Sequence, residues 1–295
     1  MEKTPKPKLP QEVYDLYDYY VHGQLNRRQF MDKLSRYTVG GLSIAALSSY
    51  LMPDYIGTKR FQEDDPRIES QRITYTSPDG GGEIQALLVL PKERSGPLPT
   101  LLVVHENRGL NPYIEDTAKQ AALDGFIALA PDMLSPFGGY PGNDDEGRRL
   151  QAQRNRDEML SDFIAGHQLL ADHEAGNGKV GVIGFCFGAW IANNMAVKLP
   201  NLAAAVPFYG GQPEEQDVAA IQAPLQLHYA ELDTRVNAGW PAYETALKRE
   251  SKTYEVHFYP EANHGFHNHS TPRYDEPSAK LAWERSVAFL KKHVG

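Results

Sequence analysis

The residues best arranged for chemistry are Gly184-Phe185-Cys186-Phe187-Gly188, directly after the strand-like run Lys179-Val180-Gly181-Val182-Ile183. Glycine, any residue, nucleophile, any residue, glycine at a strand-to-helix turn holds a reactive side chain on strained backbone. The flanking glycines let neighbouring backbones pass closely. The same turn sets the side chain at a helix start, where amide N–H groups and the helix dipole favour negative charge. Both effects favour thiolate over thiol, against an ordinary thiol pKa of about 8.5. Cys186 is the one cysteine of 295 residues, which excludes an intrachain disulfide and a cysteine-based zinc cluster. The competing role for a lone cysteine is that of a small buried core residue, and the pentapeptide in its strand–helix setting argues against it.

A thiol that attacks at neutral pH needs a base and a group to orient the base. In the strand–turn–helix arrangement that carries this motif, the chain order is nucleophile, acid, histidine. Asp233 follows the strand-like run from Pro224 to Tyr229, within Ala230-Glu231-Leu232-Asp233. His264 follows the run from Tyr254 to Tyr259, within Glu261-Ala262-Asn263-His264-Gly265-Phe266. Both are placed at strand ends on the edge that also carries Cys186, with Glu231 as the rival acid. Taken singly, Asp233 is a loop carboxylate and His264 one of ten histidines; order and placement together select them.

Val103-Val104-His105-Glu106-Asn107-Arg108-Gly109 ends another predicted strand. The loop after that strand and the residue after the nucleophile supply oxyanion-hole amides, here the backbones of Asn107 and Phe187. A carboxylate at Glu106 would oppose a developing oxyanion, which suits a group that controls the protonation of Cys186 before substrate arrives. Its plainer role is a loop residue paired with Arg108. His264, His267 and His269, with His257 upstream, have spacings that could ligate a transition metal. No carboxylate interleaves them, and a solvated loop is the expected state of His267 and His269.

The elements that must position these groups alternate in type. Arg72–Ser77 and Ile84–Leu90 are predicted to form a hairpin around Pro78-Asp79-Gly80-Gly81-Gly82. Further strands are predicted at Thr100–Val104, Phe126–Ala130, Lys179–Phe185, Ala203–Phe208, Pro224–Tyr229 and Tyr254–Tyr259. Helices are predicted from Pro112, with Asn111 as cap, and over Asp145–His173, Phe187–Leu199, Gly239–Arg249 and Glu276–Lys292. Such alternation means an α/β fold with a mostly parallel sheet covered on both faces, and chemistry beyond the carboxyl ends of its strands.

Residues 1–65 differ from the catalytic stretch 66–295. Residues 11–25 are predicted to be a tyrosine-rich amphipathic helix. Asn26-Arg27-Arg28-Gln29-Phe30 then precedes the apolar run Tyr37–Leu51, a pattern that resembles a twin-arginine export signal. Export is the expectation, although acidic residues before Arg27 and the lack of an A-x-A site after Leu51 count against a clean signal; the alternative is a helical arm that stays on and packs against the catalytic domain or a second subunit. Gly57–Arg67 reads as a linker. The run is shorter than the ~20 residues of a membrane span, so no stable span is expected. Export implies a periplasmic protein, and retention a cytoplasmic one. Net charge is −8, which speaks against a nucleic-acid partner.

These residues together resemble the dienelactone hydrolase (carboxymethylenebutenolidase) family of the α/β-hydrolases, from about Arg72 to the C-terminus. The resemblance rests on His105-Glu106-Asn107-Arg108-Gly109-Leu110-Asn111, Ala130-Pro131-Asp132-Met133, Gly178 through Gly188, Ala230-Glu231-Leu232-Asp233 and Ala262-Asn263-His264-Gly265-Phe266. It implies a triad of Cys186, His264 and Asp233, an acyl-enzyme, and Glu106 as the carboxylate that pairs with the resting thiol and hands over when substrate binds. Members acting on dienelactone hold the substrate carboxylate with arginines, one of them four residues beyond the catalytic histidine. Here that position is Asn268, with Arg235 or Arg273 as substitutes and Arg148, Arg149, Arg154 and Arg156 in the region of another. The expectation is therefore a hydrolase of small esters or lactones needing no metal or organic cofactor, with a homo-oligomer compatible with the sequence. The rivals are a non-catalytic binding protein and a metal-dependent hydrolase using the histidine-rich loop.

Overall fold

A computed structural model describes residues 9–38 and 43–295. Three short helices come first: α1 (Gln11–Val21), α2 (Arg27–Leu34) and α3 (Ile44–Leu51). The main body follows as β1 (Ile68–Ser77), β2 (Gly82–Pro91), β3 (Leu98–Val104), α4 (Pro112–Leu123), β4 (Ile127–Pro131), α5 (Asp144–Gln151), α6 (Arg156–Ala171) and β5 (Gly176–Phe185). It continues through α7 (Phe187–Lys198), β6 (Ala204–Phe208), β7 (Leu225–Ala230), α8 (Thr234–Asn237), α9 (Trp240–Arg249), β8 (Tyr254–Tyr259) and α10 (Glu276–Val294).

The eight strands form one sheet in the order β1-β2-β4-β3-β5-β6-β7-β8. The pairings β1–β2 and β2–β4 are antiparallel, and every pairing from β4 across to β8 is parallel. Strand residues alternate between faces. Leu102, Val104 and Val182 thus join the core under α6, α7 and α9, while Leu101, Val103 and Ile183 join the core under α4 and α10. Burial on both faces is why these strands read as continuous apolar runs.

The long helix expected over Asp145–His173 is two helices. The Asn155 side chain accepts from the amides of Asp157 and Glu158 and starts α6 afresh. The preceding Arg154 turns inward to Asp162 (2.9 Å) and the Met133 carbonyl (2.8 Å). The first helix, expected over 11–25, stops at Val21. Gly23 takes φ +77° and its amide bonds the Tyr20 carbonyl, the left-handed ending that glycine allows most cheaply.

The arm has its own small core of Val13, Tyr17, Val21, Phe30, Leu34, Leu47 and Leu51. A capping box between Asn26 and Gln29 opens α2, so Arg27 and Arg28 are exposed residues of a capped first turn. Part of the run Tyr37–Leu51, residues 39–42, lies outside the described residues; its remainder includes α3. None of the described helices is long and apolar enough to cross a membrane. The arm packs against the body: the Asp54 amide bonds the Ser270 carbonyl, and the Gln11 side chain bonds that of Asn263.

Candidate active site

Cys186 stands between β5 and α7 at φ 55°, ψ −110°, a positive φ on a non-glycine residue. Neighbours on every side hold it there. A Cβ on Gly184 would lie 1.9 Å from the Gly188 carbonyl oxygen, and one on Gly188 would lie 2.5 Å from that of Val104. The Cys186 amide donates to the Phe208 carbonyl at 3.0 Å. Phe187 opens α7, so its N–H lacks an intrahelical acceptor.

His264, on the loop after β8, and Asp233, after β7, meet because their strands are neighbours. His264 Nδ1 lies 2.6 Å from Asp233 Oδ2. The other Asp233 oxygen accepts from the Val236 amide at the start of α8, which fixes the carboxylate. Glu231, the rival acid, instead accepts from the Glu261 amide at the surface. Cys186 Sγ and a ring nitrogen of His264 lie within 4.8 Å.

Glu106 is buried, and its Oε2 accepts from Asn268 Nδ2 at 2.9 Å. The residue standing where the resemblance expects an arginine therefore holds Glu106 without neutralising it. Arg108 pairs with Asp144 at 2.8 Å rather than with Glu106. His105 ties the loop down, contacting the Glu106 carbonyl through Nδ1 and accepting from the Met133 amide through Nε2. His267 and His269, expected in a solvated loop, are buried. His267 Nδ1 is 2.8 Å from the Tyr113 hydroxyl, and its ring stacks on Phe185. Burial, with help from Arg60 and His269, pushes its pKa down to about 3, so it stays neutral. His269 Nε2 lies 3.3 Å from Asp116. The apolar wall of Phe185 and Tyr113 and the partner carboxylate draw this loop inward, so it does not offer a histidine cluster with metal-ligand geometry.

The hydrogen-bond partner of the thiol is a residue that the sequence did not single out. His22, at the end of α1, places Nε2 3.2 Å from Cys186 Sγ. Its Nδ1 lies 2.8 Å from the Asp18 carbonyl and 3.2 Å from the Asp18 carboxylate. Burial opposes charge on His22, but the sulfur and Asp18 outweigh it and raise its pKa. Asp18 is held by Arg235 at 2.9 Å and Arg273 at 3.5 Å, and lies 4.0 Å from His264 Nε2. Burial disfavours its ionisation, yet His264, His22 and Arg235 hold its carboxyl well below the usual carboxylate range. Asp18 and His22 sit four apart on one helix face, the one signal in the sequence that could have flagged them. Asn107 Nδ2 donates to the Val21 carbonyl at 2.7 Å, and Arg148 to that of Tyr20 at 3.1 Å. Arg149 pairs at the surface with Glu146, and Arg156 lies over the Trp190 ring.

Two donor groups have metal-like spacing among the described residues: His22, Cys186 and His264, and Asp18, Asp233 and His264. Arg235 Nη2 lies 3.3 Å from both His22 Nε2 and His264 Nδ1. This guanidinium already supplies positive charge within the cluster, so the donors fit ion pairing among themselves better than a cation.

The sequence pattern of the Dienelactone hydrolase family matches residues 84–294, and a second, YqhI-like, matches residues 1–40. A hydrolase fragment of Escherichia coli (strain K12), YghX, is 54% identical over 112 residues, covering 38% of this chain and 96% of its own. A Saccharolobus solfataricus protein named as a carboxymethylenebutenolidase is 27% identical, covering 72% of this chain and 95% of its own. The crystal structure of a Klebsiella pneumoniae protein titled as a dienelactone hydrolase superposes with TM-score 0.67 at 27% identity, covering 76% of this chain and 99% of that one. With the elbow, the sheet order and this match in agreement, the chain belongs to the dienelactone hydrolase family and is an ester- or lactone-cleaving enzyme.

Proposed function

We propose that the protein hydrolyses small lactones or carboxylic esters through a thioester formed on Cys186, with His264 as base and acid and Asp233 as its orienting partner. The observation that carries this is the 2.6 Å contact between His264 Nδ1 and Asp233 Oδ2 beside a cysteine on a nucleophile elbow. A proton on Nδ1, held by the carboxylate, leaves Nε2 to exchange protons with the thiol and the leaving group.

In the forward reaction Cys186 sulfur adds to the carbonyl carbon, and the carbonyl π electrons move to oxygen. The backbone amides of Asn107 and Phe187 receive that oxyanion. Collapse breaks the acyl carbon–oxygen bond, and the leaving oxygen takes the proton from His264. Water then adds to the thioester, giving its proton to His264, and the acid departs as the thiol re-forms. An enolate or alkoxide released in this way is easier to expel than an amine, which suits lactones and esters over peptides. Glu106, buried but held only by Asn268 among the described residues, is assigned to control the protonation of the thiol during this cycle.

The test is hydrolysis of p-nitrophenyl acetate and a dienelactone by the wild type, Cys186→Ser and Cys186→Ala, with and without EDTA. Loss in the alanine variant and indifference to chelator are expected. Full activity without Cys186 would overturn the thiol mechanism.

A further inference from the structure

Three residues that the proposed reaction uses, Cys186, Asn107 and His264, are engaged by the arm. The thiol has the His22 ring, and the loop offering one oxyanion amide has its Asn107 side chain on the Val21 carbonyl. The free edge of His264 faces the Asp18 carboxylate, which also occupies Arg235 and Arg273. Cys186 is 7% exposed, with the His22 ring against its sulfur. The end of α1 therefore stands across the approach of an ester to the thiol.

We infer that the segment Asp18–His22 is an internal occupant of the substrate site, a tethered competitor that must swing out before turnover, with its Asp18 carboxylate holding a place on Arg235 and Arg273 that a carboxylate-bearing substrate would take. The substrate half of this inference rests on the proposed hydrolysis; the occlusion does not.

The contacts have the character of a placeholder. The Arg273–Asp18 distance is long, and Arg273 Nε is buried with no hydrogen-bond partner among the described residues. An untethered carboxylate could satisfy that fork in the bidentate manner that guanidinium favours. Exchanging one carboxylate for another leaves both guanidinium groups paired, whereas a neutral ester strands them. The arm also has what a displaceable element needs, a small core of its own that can stay folded as it moves.

A closed majority state lowers apparent affinity by the fraction of molecules that are open. Weakening the arm should therefore lower KM and spare kcat. The variants are Asp18→Asn and His22→Ala, which loosen the contact itself, and Tyr17→Ala, which loosens the arm from inside its core. None of these side chains belongs to the sheet cores. The first readout is the rate at which iodoacetamide alkylates Cys186 at pH 9. Alkylation about tenfold faster or more is expected in all three, equivalent to ~1.4 kcal/mol of lost closure. The second is p-nitrophenyl ester hydrolysis, with KM expected to fall by a similar factor for the acetate and for the half-ester of succinate, and to be lower for the half-ester in every form.

Alkylation at wild-type rates or slower would overturn the inference. So would a fall in kcat at constant KM, which would make His22 part of the chemistry. Faster alkylation with no ester cleaved by any variant would uphold occlusion and sink the proposed hydrolysis.

Discussion

The sheet edge and the N-terminal arm both bring a histidine and a carboxylate to Cys186, but by different means. His264 and Asp233 follow adjacent parallel strands, the fully buried β7 and the partly exposed edge strand β8, so their separation is set by the spacing of the two strands. His22 and Asp18 sit one turn apart on a short helix whose support is a separate cluster of nine buried side chains. The first pair is rigid because moving it means moving the sheet. The second is held outside the sheet, by side-chain packing and a few hydrogen bonds to the body, and elements of that kind open at lower free energy than core strands. Machinery belongs on the stiff support, and a competitor for the site belongs on the loose one.

The comparison breaks first at the stiff pair. Asp233→Asn keeps the shape but no longer fixes the Nδ1 proton, and kcat should fall by roughly 10³–10⁴, as for carboxylate loss in other triads. A loss under tenfold would mean that the carboxylate does not orient His264. Gly184→Ala comes next. The new methyl would meet backbone at 1.9 Å, so the melting transition of the whole body should drop by more than the ~0.5–3 kcal/mol of ordinary substitutions. An unchanged melting curve would contradict the elbow geometry.

Phe30→Ala tests the loose region. Phe30 is 1% exposed and stacks on Tyr20 at 4.7 Å, so about 3–5 kcal/mol should be lost. That loss should appear as early hydrogen exchange in residues 11–34, with the exchange of β3 and β5 unchanged. Exchange rising equally in both would show that arm and sheet unfold as one unit.

The smallest expected effect is with pH. The folded pKa of His22 is raised above 6.5 and that of Asp18 lies below its ordinary value. The His22 contribution is complete below about 6.5 and is lost as pH rises through the raised value. The Asp18 contribution is present above the ordinary carboxylate range and lost only in strong acid. Arg235, whose pKa rises through Asp18 against the cost of its burial, remains charged throughout. Arm protection should therefore weaken from mildly acid to alkaline pH. Protection that grew with pH would reverse the assignment.

Strand positions, the cap at Asn111 and the elbow were legible in the sequence because each is a local pattern. Apolar runs mark strands buried on both faces, an asparagine before a proline marks a helix start, and paired glycines mark a close backbone approach. Chain order placed an acid after β7 but left Glu231 as a rival to Asp233; which of the two meets His264 is a tertiary contact. The break between α5 and α6 was not legible, because Arg154 leaves the helix for a partner on another element. Nor was the burial of His267 and His269, which depends on Phe185 and Tyr113 arriving from elsewhere.

By itself, the sequence determined the α/β alternation, the cysteine on its strained turn and the placement of Asp233 and His264 after the last two strands, since periodicity and local backbone sterics act over a few residues. Only the tertiary structure decided what the thiol touches. His22 and Cys186 are 164 apart in the chain with no pattern linking them, and their contact exists because the arm folds back across the ends of the strands, where two arginines and an imidazole draw in the charge of Asp18.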